Sequence, residues 1–296
     1  MKAIKLNTSP VLLQSLHHPL FNKFDIDVQV LRLDTLHPVI SGNKWLKLLP
    51  WLQEAQQQRV SGILTKGGPY SNHVHAAAYA AMLYHFSCTA VIKAKEGMST
   101  AMLNDTRRWN ANIIYAPANY DDDDKWAALA AEKNLLFIPM GGDGKLAAAG
   151  VCHFLRQSSI PLYNHVFCPV GTGTTLRGIA ASGIAANRLT GINPGIKDGF
   201  KIFLAETQKT CSASIDIIKN DSLKKFGQWP LFLPGMMNDW YRHWDLPTDV
   251  VYTAKMVFIF LEMIKKETIE AGSTCLLVHT GGLQGNRSLV PGLLIF

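Results

Sequence analysis

From about residue 60 onward, short apolar runs alternate with amphipathic stretches. Residues 61–65 read as a strand, and the Ala-rich segment 74–84 reads as a helix. The rhythm repeats with strands at 89–92, 112–115 and 135–139 and helices near 100–109, 122–133 and 146–157. A second block follows, with strands predicted at 165–170, 201–205 and 274–278 and helices at about 175–187 and 252–266. Residues 226–246, rich in Trp and Pro, are expected to be irregular and to wrap a cleft or an edge. Near-continuous apolar strands separated by helices predict α/β architecture, with open parallel sheets covered on both faces. No internal repeat or low-complexity linker interrupts the pattern.

Composition narrows the function classes. With 296 residues, 48% hydrophobic and 17% charged, the chain can bury a large core, which excludes disorder, collagen and a coiled-coil rod. The net charge of +7 comes from scattered Lys and Arg, and no basic run is interleaved with aromatics. Solubility and anionic small ligands explain it better than nucleic acid. Five cysteines, an odd number without a CxxC pair, read as small hydrophobes in a reducing compartment. The start of the chain lacks a signal-peptide run, and the longest apolar stretch, 256–261, is too short to span a bilayer. A cytoplasmic protein with neither membrane nor nucleic acid as partner is expected. Four aspartates at 121–124 suit the positive end of a helix better than a metal, and no metal site is expected.

Four short motifs carry candidate chemistry, each at the end of a predicted strand or the start of a helix. Gly171-Thr172-Gly173-Thr174-Thr175 follows a strand and precedes a helix. Its glycines let backbone N–H groups converge on an anion, the helix start adds positive potential, and the Thr hydroxyls add donors. No Gly-Lys-Ser/Thr follows, so it is not a Walker loop, and Leu176 breaks a strict GxGxxG. An ordinary tight turn is the alternative. Ser41-Gly42-Asn43-Lys44 opens a helical stretch with Lys47 nearly one turn on, so two amines share a face. A desolvated Lys44 could form a covalent link to an aldehyde, and Lys47 could bind an anion; two surface lysines are the alternative. In Lys66-Gly67-Gly68-Pro69-Tyr70-Ser71-Asn72-His73, Ser71 or Asn72 either caps a helix or helps form a second anion nest for a carboxylate. Thr280, in His279-Thr280-Gly281-Gly282, offers a hydroxyl where open parallel sheets bind ligands.

Taken in this order, the four motifs resemble those of pyridoxal 5′-phosphate (PLP) enzymes of the tryptophan-synthase-β-like fold, fold type II. Among them the chain is most similar to the 1-aminocyclopropane-1-carboxylate (ACC) deaminase and D-cysteine desulfhydrase family, over nearly its whole length. The resemblance implies two α/β domains with PLP between them. Residues 46–155 would form the smaller domain, and residues 1–45 with 156–296 the larger, PLP-binding one. By the same resemblance, Lys44 is the lysine that joins the cofactor and Lys47 contacts its phosphate. Asn72 bonds the pyridine 3′-oxygen, and Gly171, Thr172, Gly173, Thr174 and Thr175 form the phosphate loop. Thr280 stands by the pyridine nitrogen, and Tyr252 is an active-site tyrosine. Ser71, Asn72 and His73 face the substrate, and relatives are homodimers.

Departures from the family pattern concern the substrate. Thr253 stands where ACC deaminases proper place a glutamate, which disfavours ring opening because a threonine does not keep the ring nitrogen protonated. Phe226-Gly227-Gln228-Trp229 replaces the usual Gly-Gly-Tyr, making Trp229 the expected aromatic of the substrate pocket. Trp45-Leu46 lies where a basic residue is common, and Thr174 where Gly is common. The implied activity is conversion of a small amino acid to an α-keto acid and ammonia, with Lys44, Ser71 and Tyr252 catalytic. A PLP-binding protein without turnover, another β-eliminating or racemising PLP enzyme, and a nucleotide-binding oxidoreductase using the Gly171 turn are the alternatives. The last would want an acidic residue about 20 positions past that turn, and Glu206 lies farther on.

Overall fold

The structure is a computed structural model that describes residues 4, 10–116, 120–196, 200–209 and 211–296. The chain opens with β1 (Leu13–Leu16), α1 (Pro19–Lys23) and β2 (Asp27–Arg32). A 3₁₀ turn over Leu33–Thr35 leads to α2 (Asn43–Gln57). Next come β3 (Gly62–Gly67), α3 (Asn72–Leu83), β4 (Ser87–Ile92) and α4 (Ala101–Arg108). β5 (Asn112–Tyr115), α5 (Asp123–Glu132), β6 (Leu135–Ile138) and α6 (Lys145–Gln157) follow. Then run β7 (Tyr163–Pro169), α7 (Thr174–Ser182), β8 (Ala185–Asn193), α8 (Phe200–Gln208) and β9 (Ser214–Lys219). The chain closes with α9 (Leu233–Trp244), α10 (Thr253–Lys265), β10 (Thr274–His279) and a 3₁₀ turn over Leu283–Ser288.

The strands form two sheets. One is wholly parallel in the order β5-β4-β3-β6, and the other runs β1-β2-β10-β7-β8-β9. The second sheet is parallel except at its edge, where β1 pairs antiparallel with β2. Helix starts follow side-chain chemistry: Ser71 Oγ accepts from the Val74 N–H, Thr100 Oγ1 from Leu103 and Asp122 Oδ1 from Lys125. The four-aspartate run thus begins α5, with Asp121 paired to Lys93 and Asp123 to Lys66.

Three sequence expectations are corrected. Residues 201–205 lie in α8, because a short apolar run suits a helix segment as well as a strand, and Glu206-Thr207-Gln208 prolong it. The helix expected at 175–187 ends at Ser182, where Gly183 adopts φ 79°, and β8 begins two residues later. The supposedly irregular 226–246 contains α9, begun by Leu233-Pro234 and buried through Met237, Trp240 and Trp244.

Helices α2, α6 and α7 pack closely. Pro50 lies inside α2 and removes the backbone donor that would meet the Leu46 carbonyl. Gly150 of α6 faces that spot, where a Cβ would come 2.5 Å from both the Leu46 oxygen and Pro50. Gly178 of α7 meets α6 in the same way, its missing Cβ leaving room for Val151 and the Ala148 carbonyl. The helix bearing Lys44 and the helix that follows the Gly171 turn are therefore both held against α6.

Candidate active site

The loops that follow β2, β3, β7 and β10 carry the four motifs, and Asn43 joins three of them. Its backbone N–H donates to the Thr280 carbonyl at 3.2 Å, and its Nδ2 donates to Thr175 Oγ1 at 2.8 Å. Its Oδ1 accepts from Lys44 Nζ at 2.9 Å. One buried amide thus fixes the lysine, the Gly171–Thr175 turn and the Thr280 loop relative to one another. Gly42 makes this approach possible: it has φ 72°, and a Cβ there would overlap the Thr280 carbonyl oxygen.

The site brings two amines together away from solvent. Burial depresses the Lys44 pKa to about 8, against the opposing pull of Asp249 and Cys168. Burial, then the neighbouring Lys44 charge, depresses Lys47 to about 7, while Asp143 and Cys168 act the other way. The Cys168 thiol is pushed up to about 12 by burial, although both lysines favour its thiolate. Asp143 accepts from Thr174 Oγ1, which also pairs with Thr172 Oγ1 at 2.8 Å. Gly173 has φ 87° and caps α7, with the Phe203 ring occupying the space its Cβ would need.

Tyr252 meets this group from α10. A Cβ on Gly171 would lie 3.6 Å from its hydroxyl. Burial, reinforced by Asp249, raises its pKa, so the hydroxyl stays protonated. Asp249 is buried and accepts from the N–H groups of Val251, Tyr252 and Thr253 and from Thr253 Oγ1. Thr253 is therefore engaged in the start of α10.

On the opposite side, Ser71 caps α3, with its Oγ accepting a backbone hydrogen bond. Asn72 lies against Gly282 and Gly285, and its Oδ1 is buried without a hydrogen-bond partner. His73 turns inward. Thr65 Oγ1 donates to the Ile138 carbonyl, so it accepts from His73 Nε2 at 2.8 Å and leaves Nδ1 as a bare acceptor beside Gly142. Burial, then Lys47 and Lys44, holds its pKa well below the ordinary value, so the ring is neutral.

Trp229 is not brought to this group. It is half-buried against the apolar core around α9 and α10, and Phe226, three residues earlier, is the aromatic that meets Tyr252 edge-on at 5.8 Å. Asp143 and Asp249 escaped sequence reasoning altogether, and Asn43 entered only as part of a turn. Asn43 finds its side-chain partner in Thr175, 132 positions away, so no local signal marks the contact.

Known proteins resemble this chain in sequence and in fold. The family profile described as "Pyridoxal-phosphate dependent enzyme" matches residues 16–225. The chain belongs to this PLP-dependent family. Its cofactor is pyridoxal 5′-phosphate. A protein from Thermotoga maritima named "Putative 1-aminocyclopropane-1-carboxylate deaminase" is 30% identical over 190 residues, and the match spans 60% of each chain. A protein of the same name from Pyrococcus furiosus is 24% identical over 292 residues, covering 88% of this chain and 85% of that one. Among solved structures, an ACC deaminase homologue superposes with a TM-score of 0.79 at 20% identity, over 96% of this chain and 93% of that one. A hydrogen sulfide-producing enzyme from Fusobacterium nucleatum gives 0.68 at 12% identity, over 97% and 99%. These likenesses establish the tryptophan-synthase-β-like fold, type II. Among the described residues, no helix is long and apolar enough to cross a membrane.

Proposed function

We propose that the protein is a PLP-dependent deaminase or lyase that converts a small amino acid to an α-keto acid and ammonia. The triple attachment of Asn43 carries this reading, because it sets a low-pKa lysine against the Gly171–Thr175 turn and the Thr280 loop.

The residues fit the cofactor. Thr175 Oγ1, which accepts from Asn43 and keeps its own hydrogen, the N–H groups of the Gly171–Thr175 turn and Lys47 offer donors to a phosphate, while the Thr172 and Thr174 hydroxyls, linked to each other and to Asp143, shape the turn. Asn72 has its Oδ1 buried and unpartnered, and its Nδ2 would donate to the 3′-oxygen. Thr280 offers a neutral hydroxyl to the ring nitrogen, and Lys44 offers the amine for the aldehyde. When bound, PLP supplies a conjugated ring that takes up the electron pair released at the substrate α-carbon.

The chain's own groups would do the rest. With a pKa near 8, Lys44 Nζ is partly neutral at physiological pH and can take the α-proton. Tyr252 holds its proton and can donate it to a departing group. Ser71 Oγ accepts from Val74 and keeps its own hydrogen for the substrate carboxylate. The residue after Tyr252 is Thr253 rather than a carboxylate, and Asp249 is engaged by the donors that start α10. That favours β-elimination from a D-cysteine-like substrate over ACC ring opening. The reading includes residues 46–155 as the smaller domain and a cytoplasmic homodimer, which analytical ultracentrifugation would check.

The deciding experiment incubates the PLP-loaded protein with D-cysteine, D-serine and ACC and measures α-keto acid. D-Cysteine should give the most product, and Lys44→Ala should give none. No product above that variant from any of the three would overturn the proposal.

A further inference from the structure

Asp105 lies on α4, outside the lysine and phosphate loops, yet it is a buried carboxylate with three cationic or imidazole neighbours. Its Oδ2 receives His75 Nε2 at 3.2 Å and Arg287 Nη1, and its Oδ1 faces Arg108 at 3.5 Å. Burial opposes its charge, but Arg287 and His75 together hold the carboxyl below its usual range. The partners come from different parts of the chain. His75 lies on α3, three residues after Asn72, while Arg287 lies in the 3₁₀ turn that follows the Thr280 loop.

These contacts close a ring. Asn72 abuts Gly282 and Gly285: a Cβ on Gly282 would come 2.8 Å from its Nδ2, and one on Gly285 would come 3.5 Å from its Oδ1. From Asn72 the path runs along α3 to His75, across to Asp105, on to Arg287 and back through the turn to Gly282. The neighbouring Asn286 anchors the turn on its other side. Its Nδ2 donates to the Thr248 carbonyl at 2.9 Å, and its Oδ1 accepts from the Val250 N–H at 3.3 Å. Consecutive side chains thus tie one turn both to the segment that leads into Tyr252 and to α4.

We propose that Asp105 is a positioning residue that, through Arg287, clamps the 280–288 segment to the α3–α4 pair and sets the spacing between Asn72 and Thr280. The proposal rests on the assignment of those two residues to the cofactor site. A carboxylate shared by two partners couples their positions, because losing one leaves the buried charge to pull on the other.

Arg287 is half-exposed, so Arg287→Gln tests the clamp without emptying the core. PLP affinity by fluorescence titration and hydrogen exchange of peptides covering 72–76 and 280–288 are compared in wild type, Arg287→Gln, Asp105→Asn and the double variant. Each single variant should weaken PLP binding roughly tenfold and speed exchange in both peptides. The double variant should be no worse than either single one, and Arg287→Lys should recover most of the affinity. Unchanged affinity or unchanged exchange in Arg287→Gln would overturn the clamp, as would strictly additive losses. Asn72→Ala separates the two ideas. If it binds PLP like wild type, the assignment of Asn72 fails; if it weakens binding while Arg287→Gln does not, the clamp fails.

Discussion

A side chain added at Gly42 would overlap the Thr280 carbonyl oxygen, whereas one added at Gly68 or Gly227 would meet nothing within 4 Å. Gly281 shows the same crowding as Gly42, with Ser41 Oγ 2.7 Å from where its Cβ would stand. The lysine and Thr280 loops approach backbone to backbone, so their spacing tolerates no insertion of volume. Gly68 and Gly227 belong to the loops proposed to meet the substrate, and these are open.

The sharpest test of the crowded wall is Lys44→Ala. It should abolish covalent capture of PLP, seen by mass spectrometry after borohydride reduction, and cut turnover roughly 10³-fold or more. Gly42→Ala should come next. It combines φ 72° with a backbone overlap, and a loss of about 3 kcal/mol in urea unfolding is expected. A loss below about 1 kcal/mol would mean the wall yields. Tyr252→Phe removes the hydroxyl that lies beside Gly171; turnover should fall about 10²-fold with PLP affinity nearly intact.

The pH dependence of cofactor capture tests the burial of the lysine. Only the unprotonated amine attacks an aldehyde, and Lys44 is depressed to about 8. Below that value the capture rate should climb about tenfold per pH unit, and above it the rate should level off. A break near the ordinary lysine value would refute desolvation at Lys44. The smallest effect belongs to the open wall. Gly227→Ala, at φ 74° with free space around it, should cost about 1 kcal/mol and leave PLP binding unchanged.

Much of this was legible beforehand. The strand–helix rhythm located β3 to β6 and the helices between them, because parallel strands buried on both faces write continuous apolar runs. The same signal misread 201–205, where the four apolar residues after Lys201 belong to α8, and it passed over β8, whose Asn and Arg interrupt the run. Lys44, Lys47 and the Gly171 turn converge, whereas the half-buried packing of Trp229 against the apolar core and the contact of Phe226 with Tyr252 had no signal in the sequence.

Residue order alone determined the alternation of strands and helices, the caps at Ser71, Thr100 and Asp122, and the turns rich in glycine and threonine. All of these depend on periodicity or on hydrogen bonds spanning a few residues. Tertiary structure alone decided that Asn43 joins three distant loops, that His73 faces Thr65, and that Asp105 holds Arg287. Such contacts arise where separate elements pack against one another, and their geometry is set by that packing rather than by periodicity or by hydrogen bonds within one element.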